Sequence, residues 1–189
     1  MILCDSEIRA VLRHRQVIIE PPPQPDNFTT SAVDLALGKE FKRWRGFGAG
    51  VDITFDPAHP EFSYPDLAAK YLETVQPAAD GSVVLEPGGF LLGITAEKVV
   101  LPIAARLAAR VEGRSTLARL GLGIHVTAPT IHAGFRGQIT LEMTNQGTIP
   151  LKLRPGLRVC QLMFEQVFGT PSADMAGVFQ DQTTVIGSA

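Results

Sequence analysis

Apolar positions along the 189-residue chain recur mostly every second residue, and only short stretches show the three-to-four spacing of a helix. Near the start, Ile8, Val11 and Leu12 share one helical face behind Asp5 and Ser6, either of which can cap it, which predicts a helix over about 5–14. Val17 to Glu20 then runs into Pro21-Pro22-Pro23, which donate nothing to a ladder, so a loop is expected as far as Thr30. From Ala32 onward Val33, Leu35 and Leu37 alternate with Asp34 and Ala36, the pattern of a half-buried strand, which Gly38 is expected to end. Phe41 and Trp44 read as core. Pro65 and Asp66 open a helical insertion, with Leu67, Tyr71, Leu72 and Val75 at helical spacing before Gln76-Pro77, and this segment is expected to stand off the sheet.

Strands dominate the remainder. Val83 to Leu85, Phe90 to Thr95 and Val99 to Leu101 are separated by turn chemistry, including Pro87-Gly88-Gly89. The alanines of Ile103 to Val111 favour helix, but its place among strands decides for sheet. Ile139, Leu141 and Met143 fall on one face of a strand, and Gln138, Thr140 and Glu142 on the other. Turns at Asn145-Gln146-Gly147 and Arg154-Pro155-Gly156 precede a last strand from Arg158 to Phe164. Many short strands with close turns predict a mainly β, β-rich α+β fold, a barrel or sandwich with short helices in one domain over 1–189. The tail, 169–189, is loosely patterned and is expected to order against a ligand or neighbour.

Charge narrows the function. Lys plus Arg number 17 against 19 acidic residues, for a net charge of -2, which leaves no basic excess to hold nucleic acid. Yet Arg106, Arg110, Arg114, Arg119, Arg136, Lys152, Arg154 and Arg158 crowd the second half, as a small anion would require. Cys4 and Cys160 are too few for a disulfide framework and fit a reducing, cytoplasmic setting. Neither a signal-like start nor an apolar run of the ~20 residues that span a membrane is present in the sequence.

Two features carry candidate chemistry. Gly113-Arg114-Ser115-Thr116-Leu117-Ala118-Arg119 sets hydroxyls and arginines at a turn and helix start, where backbone amides favour anions, although a capped surface helix with solvated arginines has the same pattern. Glu142 stands on the polar face of its strand, placed for acid/base work or simply facing water.

The run from Glu112 to Glu142, EGRSTLARLGLGIHVTAPTIHAGFRGQITLE, resembles the central signature of the dCTP deaminases, which share the trimeric dUTPase fold. Met1-Ile-Leu-Cys-Asp5, Ser31 to Gly38, Val84 to Phe90, Asn145-Gln-Gly147, Leu153-Arg-Pro-Gly156 and Gln161-Leu162 extend the resemblance. It implies a dUTPase-like distorted β-barrel or jelly roll, assembled as a homotrimer whose subunits share nucleotide sites. The expected reaction is hydrolysis of dCTP to dUTP and ammonia, with dTTP as a candidate inhibitor. Glu142 would be the proton shuttle, Ser115 would hold the water, and Arg119 would support the reacting centre. Arg114, Thr116 and Gln161 would serve the nucleotide and its phosphates. Thr140 and Leu141 would offer backbone to the base, with Ala128 closing the pocket. Mg2+ would arrive on the triphosphate.

Zinc is not expected, because His59-Pro60-Glu61 supplies only half of the zinc-deaminase signature and two cysteines cannot build the rest. His125 reads as a structural group.

Two departures bear on activity. His132 replaces the aspartate that the family sets near the deoxyribose 3′-hydroxyl, and imidazole cannot supply a carboxylate charge. Near the end Gln182 matches, but Val178 and Phe179 stand where lysine and tyrosine are usual, leaving Lys152, Arg154 or Arg158 as alternative phosphate contacts. The rival readings are a dUTP diphosphatase or bifunctional enzyme, which the missing carboxylate disfavours, and a non-catalytic regulatory trimer.

Overall fold

The computed structural model describes residues 1–46, 53–173 and 179–186, so Val178 lies outside the described residues. In chain order the elements are α1 (Asp5–Arg13), β1 (Ile18–Glu20), β2 (Val33–Trp44), α2 (Tyr64–Tyr71), β3 (Leu72–Thr74), β4 (Val83–Leu85), β5 (Phe90–Val100), β6 (Leu107–Gly113), α3 (Ser115–Ala118), β7 (Leu122–Gly123), β8 (Thr130–Ile131), β9 (Arg136–Asn145), β10 (Leu151–Leu153) and β11 (Arg158–Gln166). Nine strands form one sheet, ordered β7-β9-β5-β2-β11-β6-β8, with β1 added to β5 and β3 to β2. The small β4–β10 sheet packs its Val83, Leu85 and Leu153 into the same buried cluster as the large sheet. The mainly β architecture expected from the alternating pattern is therefore present.

Several local expectations change. The first helix starts one residue after Cys4 and has no side-chain cap; Asp5 lies in its first turn, and the Asp5 amide donates to Thr30 O at 3.0 Å. Ile8 is nevertheless fully buried, as its face predicts.

Gly38 does not end its strand: β2 runs on to Trp44, and the pairing with β5 shifts register between Leu37 and Phe41. A Cβ at Gly38 would lie 2.8 Å from Ile94 O, so close approach of two backbones is what glycine provides there. Flanked by β5 and β11, β2 also buries Val33, Asp34 and Leu35 in succession, which a half-buried strand would not.

The insertion helix begins on its N-cap Ser63 and stops at Tyr71, and the chain rejoins the sheet as β3, so Leu72 is strand and not helix. Phe41 is core, but Trp44 is only half-buried and packs against the rings of Phe55 and Tyr64. Phe90 to Val100 is one strand with a register shift between Ile94 and Lys98, not two. Ile103–Ala105 forms a single 3-10 turn before left-handed Arg106 and β6, which reconciles the helical and strand signals. Among the described residues no helix is long and apolar enough to cross a membrane.

Candidate active site

The alternation in β9 creates the site. Leu141 and Met143 are 1% and 0% exposed and anchor the strand in the core, so Thr140 and Glu142 project from the opposite face. There a cavity of about 320 Å³ opens. Ile139, Thr140 and Glu142 of β9 form its floor, with Leu92 of β5 beside them. The segment around β8 supplies Ala128, Thr130, Ile131, His132 and Phe135; Tyr64 of α2 and Phe179, Gln182 and Val185 of the tail complete it. Among the described lining residues Glu142 is the sole carboxylate and there is no lysine or arginine.

Glu142 Oε2 accepts a hydrogen bond from the Val126 amide at 3.0 Å, which fixes one carboxylate oxygen. Burial raises the Tyr64 phenol above the ordinary tyrosine value, and the nearby charge of Glu142 adds to the effect. Both influences keep the phenol neutral. Gln182 donates from Nε2 to Gln138 O at 2.6 Å, and its backbone oxygen receives the Gln138 amide at 2.9 Å. Its Oε1 is buried without a partner among the described residues, and the residue lines the cavity.

A second polar cluster lies on β2, β11 and the N-cap of α3. Buried Asp34 accepts from Gln161 Nε2 at 3.0 Å and stands 3.4 Å from the Arg114 guanidinium. Arg114 also donates to Arg158 O at 3.3 Å. α3 follows directly: it is one turn, with Arg114 at its N-cap, and exposes Ser115, Thr116 and Arg119.

The structure thus brings Ala128, His132, Thr140, Glu142 and Gln182 around one cavity and gathers Arg114 and Gln161 around Asp34. It leaves Ser115, Thr116 and Arg119 at the surface of the subunit. Leu141 points its side chain into the core, so only its backbone remains to contribute. The alternative phosphate contacts are already engaged: Arg154 and Lys152 approach Asp80 at 2.8 and 3.8 Å, and Arg158 approaches Asp26 at 2.5 Å. His125 lies 3.8 Å from Glu112, with Nδ1 buried and without a partner among the described residues. Sequence reasoning missed Tyr64 and named Phe179 only as a departure in the tail, since their pairing across more than a hundred residues leaves no local signal, while Ile131 and Phe135 sat unremarked inside the quoted run. Among the described residues no three His, Cys, Asp or Glu side chains gather as a metal set.

Comparison with known proteins adds three findings. The model of the dCTP deaminase-like family matches residues 2–167. A Methanosphaera stadtmanae protein named dCTP deaminase, dUMP-forming, is 40% identical over 164 residues, 87% of this chain and 78% of its own; a Rhodospirillum rubrum dCTP deaminase is 40% identical over 177 residues, 93% and 88%. The crystal structure of 2'-deoxycytidine 5'-triphosphate deaminase from Agrobacterium tumefaciens superposes with a TM-score of 0.62 and 26% identity over 86% of this chain. The match covers 47% of that longer chain, about half its length.

Proposed function

This chain belongs to the dCTP deaminase-like family, and from that premise we propose that it hydrolyses dCTP to dUTP and ammonia with Glu142 as the acid/base. Water adds through oxygen to cytosine C4 while Glu142 takes a proton from it. Glu142 delivers that proton to N3, where it stays; it then takes the proton of the new C4 hydroxyl and hands it to the departing amine, so the C4–N bond breaks as the uracil carbonyl forms and ammonia leaves. The Val126 amide on one oxygen of Glu142 leaves the other free for the water. Thr140 and Leu141 meet the base through backbone, and Ala128 and Gln182 close over it. His132 stands beside the sugar.

The observation that carries this reading is the division of charge within one chain. Among the described residues the cavity lining has one carboxylate and no cation, while Ser115 and Arg119 lie exposed on α3 a short step from the Arg114–Gln161–Asp34 cluster. A triphosphate cannot be held by that cavity alone. The site is completed by α3 of a neighbouring copy in a homotrimer: Ser115 orders the water, Arg119 stabilises the charged centre, and Thr116, Arg114 and Gln161 meet the phosphates. Mg2+ enters as the counter-ion of the triphosphate and does not need a protein cage. The proton steps assigned to Glu142 use no zinc. dTTP, with the same sugar and phosphates, competes for the site.

A second reading is favoured by the names of the relatives, since the Methanosphaera protein and others are called dUMP-forming. Release of dUMP requires a further attack on the α-phosphorus, for which His132 offers no carboxylate beside Glu142. Chromatography of products from dCTP and Mg2+ separates the two. The proposal expects dUTP and ammonia without pyrophosphate; dUMP with pyrophosphate would transfer the chain to the bifunctional reading.

A further inference from the structure

The outer wall of the cavity is aromatic and comes from two segments distant in sequence. Tyr64 opens α2, whose start is fixed by the Asp66 amide donating to Ser63 Oγ and whose underside is anchored by buried Ala68. The Tyr64 ring meets Trp44 edge-on at 6.4 Å, so it is held from behind. On its other side it lies 5.8 Å from the ring of Phe179 in the tail, and both residues line the cavity.

The rest of the tail is held by polar contacts concentrated on β9. The Arg136 amide donates to Gln180 Oε1, Arg136 and Asp181 pair through their side chains, and Gln182 bonds Gln138 in both directions. The tail is therefore fastened along β9, and its Phe179 ring meets Tyr64 of α2 in the cavity lining. No described residue hydrogen-bonds the Tyr64 hydroxyl, so packing is what the ring contributes to Phe179.

We propose that Tyr64 is a positioning residue for the nucleotide pocket, the post on which the tail closes through Phe179 over a bound pyrimidine nucleotide. This rests on the nucleotide reading of the cavity. An aromatic pair supplies closure without a second charge beside Glu142, and the neutral phenol adds none. Sequence spacing cannot reveal such a post, because its two members belong to an insertion and a tail.

The test uses the full chain with dUTP and Mg2+, measuring affinity by calorimetry and tail exposure by limited proteolysis beyond residue 168, for wild type, Tyr64→Phe, Tyr64→Ala, Phe179→Ala and the double alanine variant. Wild type is expected to bind and gain tail protection, and Tyr64→Phe to match it within about twofold. Tyr64→Ala and Phe179→Ala are each expected to weaken binding about five- to tenfold and lose the protection, and the double variant to be no weaker than either single one, because both remove the same contact. In turnover the change appears in KM, with kcat nearly unaltered. Wild-type affinity in Tyr64→Ala, or losses that multiply in the double variant, would overturn the proposal; Phe179→Ala keeps the test valid if Tyr64→Ala does not fold. A wild-type protein that binds no pyrimidine nucleotide would overturn the functional reading itself.

Discussion

Replacing Arg114 by Met isolates the value of the polar cluster that carries α3. The substitution keeps the apolar stem and removes the guanidinium that stands 3.4 Å from Asp34, a side chain only 4% exposed. At an effective dielectric constant of about 20 the pair attracts by roughly 5 kcal/mol gross. Arg114 is 38% exposed, so solvent screening and the desolvation of Asp34 offset most of that, and about 1–2 kcal/mol net is expected. For a chain of this length that lowers Tm by about 2–8 °C, measured by calorimetry at fixed protein concentration. Asp34→Asn alone keeps an acceptor for Gln161 and leaves Arg114 a path to water. In the double variant the buried charge left by Arg114→Met is gone, so about half or more of its loss is recovered. Losses that add within about 0.5 kcal/mol would show that the two side chains do not interact and would refute the reasoning.

Gly121 has φ +94, and a Cβ there would lie 2.2 Å from the Gly147 amide nitrogen, so Gly121→Ala is expected to cost about 2–4 kcal/mol in chemical denaturation and to loosen the exit of α3. Alkylation should distinguish the thiols: exposed Cys4, lowered by its hydrogen bond with Ser6, reacts in the native protein, while Cys160, raised by complete burial, reacts only after unfolding; rapid native loss of both would contradict the packing of β11. Burial also raises the Glu97 carboxyl, against the lowering effect of the Ala36 amide that it accepts. The folded state then holds that proton to higher pH than the unfolded chain, so its contribution to stability is full below the ordinary value of 4.5 and is lost as pH rises through the folded value. The stability of wild type relative to Glu97→Gln should decline over that interval, and a flat difference would contradict the assignment. If sites are shared between copies, mixing and refolding Glu142→Gln with Arg119→Ala restores activity to about a quarter of the sites in random trimers, whereas sites built within one chain recover none.

The parts of the fold legible in the sequence are those in which one strand carries a clean alternation. Ile139, Leu141 and Met143 marked the buried face of β9, and Thr140 and Glu142 consequently faced the cavity. Asp34 misled because local alternation cannot tell an interior strand, covered on both faces, from one that meets water; its partners Arg114 and Gln161 arrive from the N-cap of α3 and from β11. Gly38 misled because a close approach of backbones and a strand end use the same residue. The candidate site was legible through a resemblance whose central run, 112–142, reached the floor of the cavity and α3 but not Tyr64. Tyr64 and Phe179 meet only through tertiary structure.

The most direct measurement is the turnover of dCTP by Glu142→Gln beside wild type, with dUTP affinity measured on both. Gln preserves the shape and an oxygen for the Val126 amide but cannot shuttle a proton, so kcat should fall by about 10²–10⁴-fold while affinity stays within a few-fold. Deamination by Glu142→Gln at the wild-type rate would contradict the assignment of the acid/base.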